Sequence, residues 1–189
     1  AALALLVFGP IWSRMGGPLG DGDMLATYVN ADNWGLFHYS RTTQFGFPLG
    51  MDLNYSPNID ITQNSFARLV NLVSGSSFLG INLLLFLSFP LVAVLTYLLL
   101  RMVSRGGPVA ISLATAFAII PYHFGRGLGH TYLATLYSGV TGMLLVFAIG
   151  LGLVPALMRR GDSSLARYLL GWAALAALVL VTAWSGLYY

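Results

Sequence analysis

Two carboxylates stand one residue apart in "GDGDML", Asp21 and Asp23, within a chain of which only 8% is charged. A D-x-D pair on a glycine-flanked turn can aim both side chains at one point, to hold a divalent cation or to supply a general base. The plainer reading makes Asp23 the N-cap of a helix beginning at Met24 and Asp21 an ordinary turn residue. A second cluster lies in "PYHFGRGLGH", residues 121–130, where His123 and His130 flank Arg126. Its glycines let backbone come close to a ligand. One guanidinium with two imidazoles and free N–H groups suits a phosphate or pyrophosphate; the plainer reading is an arginine resting on lipid headgroups. Fainter signals are His38 and Arg41 in "HYSR", which could touch a sugar or phosphate, and the terminal Tyr188 and Tyr189. The two tyrosines read first as interfacial aromatics and second as the lining of a lipid-facing site.

The elements that carry these residues follow from composition. The 189 residues are 57% hydrophobic with mean hydropathy +0.78, whereas a soluble domain has roughly 25% charged residues. This is the composition of a membrane protein. All nine basic residues are Arg and all six acidic ones Asp. No basic tract interleaves with aromatics, so nucleic acid is not an expected partner. The absence of cysteine removes disulfides, thiol catalysis and thiolate metal sites. The chain opens inside an apolar run, with no positive n-region and no small-x-small cleavage site, and reads as a fragment of a longer polytopic protein rather than one led by a signal peptide.

Spans of about 20 apolar residues are needed to cross a bilayer. The pattern predicts the end of a truncated first span over 1–12, an outer segment over 13–79, and spans over 80–104, 105–125 and 126–158. A cytoplasmic loop over 159–167 and a last span over 168–189 follow. Arg101 and Arg105, with Arg159, Arg160 and Arg167, occupy two short loops that the positive-inside rule places in the cytoplasm. The segment 13–79 and the 123–130 turn then share the outer face, with five of the six Asp and all three His. No span carries an ionisable residue at its middle, which weighs against ion-coupled transport. Within 13–79 the spacing predicts a helix over 24–40 with Leu25, Tyr28, Val29 and Leu36 on one side, and an irregular stretch over 45–57. A second helix, capped by Asp60 or Thr62 and closed by Gly75, groups Phe66, Leu69, Val70 and Val73 and would lie flat in the interface. Asp32 reads as structural.

The order of "GDGDML", "FGFPLGMDL" with "YSP", "PYHFGRGLGH" and terminal "SGLYY" resembles a bacterial multi-spanning family of the GT-C class of membrane glycosyltransferases. The resemblance covers the whole chain, as the N-terminal part of such a protein. It implies an all-α polytopic fold with a structured outer loop of interfacial helices, in the bacterial cytoplasmic membrane with its active face outward. It also implies inverting hexosyl transfer from a polyprenyl-phosphate-linked sugar to a glycan or lipid acceptor. In that class a first-loop carboxylate acts as base or metal ligand, which maps onto Asp21 or Asp23. Basic residues meet the donor phosphate, which maps onto Arg126 with His123 and His130. The chain departs from some members in having no Glu beside these Asp. A divalent cation is compatible with the class, whose metal dependence varies. The rival reading is a non-catalytic lipid or glycan transporter, or an accessory protein, that binds a phosphorylated headgroup.

Overall fold

Among the described residues the longest apolar run becomes the longest helix. A computed structural model describes residues 9–20, 23–33, 41–42, 51–52, 60–104, 106–127, 136–153 and 164–184. A 3-10 helix over Gly9–Arg14 leads to α1 (Asp23–Asn33), and a two-residue antiparallel pair, β1 (Arg41–Thr42) and β2 (Met51–Asp52), matches Arg41 with Asp52. Then come α2 (Ile61–Ser74), α3 (Leu79–Val103), α4 (Pro108–Ala118), α5 (Pro121–Gly127), α6 (Tyr137–Gly150) and α7 (Leu165–Trp184). Among the described residues the fold is all-α apart from that small pair.

Helix α2 begins where Asp60 accepts a hydrogen bond from the Gln63 amide at 2.8 Å, and ends at Gly75 with φ 72°. Both ends match the capping expected of those residue types. Its orientation is the reverse of a soluble helix. Gln63, Asn64, Ser65, Ala67 and Asn71 are buried, while Leu69, Leu72 and Val73 are exposed, Val73 to 82%. The inner amides are used: Asn71 Oδ1 accepts from the Gly80 N–H at 2.8 Å and Asn71 Nδ2 donates to Ser77 O at 3.2 Å. Gly80 is the point of closest approach between α2 and α3. A Cβ there would overlap the backbone of Ala67.

Helix α1 buries Met24, Thr27, Tyr28 and Ala31, one position round from the predicted face; Leu25 and Val29 are exposed. The described helix stops at Asn33 and residues 34–40 lie outside the described residues. Met24, Tyr28, Ala31 and Ala67 pack with Ile81, Leu85 and Phe89 of α3 in one core. Asp32 is paired with Arg68 at 3.3 Å and accepts from Ser77 Oγ at 3.2 Å, tying α1 to α2 and to the turn before α3.

On its α4 side, α3 is met by small residues. Ala110, Ala114 and Ala118 form the buried stripe of α4, which lets the two helices lie close. Gly106 and Gly107 take positive φ in the α3–α4 turn, and Pro108 stands at the start of α4. The predicted 105–125 span is broken at 119–120, because Pro121 cannot extend α4 and begins α5 instead. Among the described residues α3 alone is long and apolar enough to cross a membrane; α4, α6 and α7 are shorter apolar helices. Replacement of Gly80 by Ala is expected to lower stability by about 1–3 kcal/mol through overpacking, read as a fall in the thermal midpoint in detergent.

Candidate functional site

Two buried polar regions lie along the N-terminal half of α3. The first surrounds Asn82, in the first turn of that helix and 1% exposed. Its Nδ2 donates to Met15 O at 2.7 Å and Gly17 O at 2.8 Å, and its Oδ1 accepts from the Tyr28 hydroxyl at 2.5 Å. The same hydroxyl oxygen accepts from the Leu19 N–H at 3.2 Å. One amide thus holds the stretch that precedes Asp21 and the helix that begins at Asp23. An Asn in an apolar run is costly unless every polar atom is matched, and this one is matched by three groups: two backbone carbonyls and the Tyr28 hydroxyl.

The second region is at His123, which is 0% exposed. Its ring stacks on Phe89 with centroids 3.9 Å apart. Nδ1 lies 2.8 Å from Ala118 O and Nε2 2.8 Å from Ser88 Oγ. A carbonyl only accepts, so Nδ1 carries a proton. Both ring nitrogens are therefore occupied by the protein, and His123 presents no free donor to a phosphate. The glycine-rich stretch expected to be a turn is helical from Pro121 to Gly127, and the histidine is the residue that anchors that helix to α3.

The other predicted residues are placed as follows. Asp23 is the first residue of α1, and Arg126 lies within α5. Arg41 sits in β1 opposite Asp52. Asp21, His38, His130, Tyr188 and Tyr189 lie outside the described residues. Among the described residues no group of three or more His, Asp or Glu comes together as a metal site requires.

Sequence reasoning missed a cavity of about 540 Å³ between α2, α3, α6 and α7. Thr62, Phe66 and Tyr137 line it beside Leu84, and the walls continue along α3 to Leu98. At 1.5 Å per residue that course is about 20 Å long. The far walls are Leu, Ala and Val. Thr62 Oγ1, in the first turn of α2, is fully buried without a hydrogen-bond partner. The available signal was the set of isolated hydroxyls in apolar runs: Thr62, Ser88, Tyr137 and Thr141.

No protein-family model matches the chain, nor does any curated protein or solved structure.

Burial pushes the Tyr28 phenol above its ordinary pKa of 10.0, against the smaller opposing effects of the Leu19 amide and Asn82. The folded protein therefore keeps a proton that the unfolded chain releases. That stabilisation is complete below about pH 10 and is lost as pH rises through the folded value. Thermal midpoints followed from pH 9 upward should fall more steeply for the wild type than for Tyr28→Phe. For His123, substitution by Ala should cost about 2–4 kcal/mol from the lost ring packing and hydrogen bonds; a thermal midpoint like the wild type's would mean the ring is a ligand-binding group and not an anchor.

Proposed function

We propose that the chain is the N-terminal part of a multi-pass membrane glycosyltransferase that takes a sugar from a polyprenyl-phosphate donor at the outer water–lipid boundary. The observation that carries this reading is the apolar cavity beginning at Thr62 and following α3 for about 20 Å. Its dimensions and lining suit one long hydrocarbon chain whose polar end stays beside the head of α3, where the Asp23 helix is also held. A bilayer setting is supported by the outward placement of Val94 on α3 and by exposed apolar side chains of α4, α6 and α7 outside the cavity lining, among them Val109, Leu113, Val146, Ile149 and Leu170. The motif order of the sequence supplies the reaction class.

In this reading Asp23, or Asp21 beside it in the chain, removes the proton from an acceptor hydroxyl. The acceptor oxygen attacks the anomeric carbon, the bond to the donor phosphate breaks, and configuration inverts. The polyprenyl phosphate leaves with the bonding electrons, and the guanidinium of Arg126 offsets its growing charge. His123 takes no part in that step; it fixes α5.

A second reading is favoured by the enclosure of His123, which takes one donor out of the expected phosphate set. The chain would then bind a lipid-linked headgroup without turning it over, as a transporter or accessory protein. Membranes containing the full-length protein and a labelled lipid-linked sugar separate the two. Transfer in the wild type that falls at least a hundredfold in Asp21→Asn or Asp23→Asn supports catalysis; normal transfer in both variants overturns it. Filling the cavity by Ala177→Phe should raise the KM for donor about tenfold with little change in kcat. Donor binding without transfer in the wild type selects the second reading.

A further inference from the structure

The head of α3 carries an amide that the apolar pattern of "GINLLL" gives no packing reason to keep. We propose that Asn82 is a positioning residue that sets the place of Asp23, by clasping the two stretches of chain on either side of the Asp21–Asp23 motif. On the upstream side its Nδ2 donates to the carbonyls of Met15 and Gly17, at 2.7 and 2.8 Å. On the downstream side its Oδ1 takes the Tyr28 hydroxyl, five residues into the helix that Asp23 begins. The Tyr28 oxygen closes the arrangement by accepting from the Leu19 amide at 3.2 Å.

Three properties make this a clasp and not one more helix contact. The partners are 54 to 67 residues away in sequence, so the bonds fix tertiary position. Asn82 is 1% and Tyr28 2% exposed, which shields the bonds from exchange with water. The platform beneath them is itself immobile, since Ile81 and Leu85 pack on Met24 and Tyr28 in the same core. A leucine at position 82 could fill the space but would leave two carbonyls and a phenol without partners.

The role in chemistry rests on the reading of Asp21 and Asp23 as the reactive carboxylates; the clasp itself is tested apart from it. These 189 residues contain no cysteine, so with any cysteine elsewhere in the full-length protein replaced by serine, a nitroxide on Gly16→Cys reports this stretch alone. Gly16 is exposed, with nothing within 4 Å of an added Cβ. In detergent-purified full-length protein, Asn82→Leu should convert an immobilised spectrum into a mobile one while helix content is kept. In the transfer assay it should lower kcat at least tenfold and leave the donor KM within about twofold, because the donor chain is held elsewhere. Tyr28→Phe, which loses the hydroxyl's bonds to Asn82 and Leu19 but keeps the Asn82 bonds to Met15 and Gly17, serves if the leucine variant does not fold: kcat should fall two- to fivefold with the label still immobilised. An immobilised label in Asn82→Leu overturns the clasp, and a mobile label with unchanged kcat overturns its role in the reaction. If the wild type transfers no sugar, the glycosyltransferase reading fails and the label spectrum alone decides whether Asn82 holds these stretches.

Discussion

The backbone of α2 at Ala67 and that of α3 at Gly80 lie so close that no side chain fits between them. Much of the described packing of α1, α2 and the head of α3 depends on that contact. It brings the Asn71 side chain onto the Gly80 amide, which satisfies a donor that the start of α3 would otherwise expose. It sets the angle at which α2 leaves the apolar helix, and with it the platform on which α1 packs. The Asp32–Arg68 pair and the Ser77 hydroxyl then close the far side of that platform. An exposed ion pair of this kind adds little stability by itself. Its effect here is directional, since it admits one rotation of α1 about the head of α3.

The distribution of residue types follows from the same close approach. At the closest contacts, Gly80 on Ala67 and the Ala110–Ala114–Ala118 stripe, there is little room for large side chains, and many leucines and valines of these helices lie on the outside. In water such a surface would be a liability. In the proposed bilayer it costs nothing, because lipid chains are as apolar as leucine, and packing and buried hydrogen bonds hold the helices instead. The amides of α2 and α3 fit that account. Asn71 and Asn82 are buried, and the polar atoms of each side chain are hydrogen-bonded.

How far this was legible in the sequence depends on what each signal encodes. The Asp60 cap, the Gly75 stop and the limits of α3 are local and could be read directly, because capping geometry and hydropathy do not need a partner. The faces of α1 and α2 could not. A hydrophobic stripe points inward only where the solvent is water, and Leu69 and Val73 obey the opposite rule. The 121–130 stretch misled for a related reason. Three glycines and an arginine imply an open turn, yet the residue that governs the segment is His123, whose partners Ser88 and Ala118 belong to other helices. Asn82 was invisible in the same way: one polar residue in an apolar run has no meaning until its acceptors, 65 and 67 residues upstream, are known.

Asn82 and Ser88 stand six residues apart on α3, about 9 Å along its axis. Each is the α3 end of a buried polar contact to a segment that has a role in the proposed reaction. Asn82 grips the chain on both sides of the Asp21–Asp23 motif; Ser88 meets His123, which belongs to the same short helix as Arg126. The separation of the carboxylate segment from the arginine segment is therefore set by one rigid element and not by the loops that join them. A reaction that needs a base on one reactant and a cation at the leaving phosphate requires that separation to be constant. In the proposed enzyme α3 thus acts as a ruler as well as a wall of the lipid cavity, and His123 contributes by holding α5 against it.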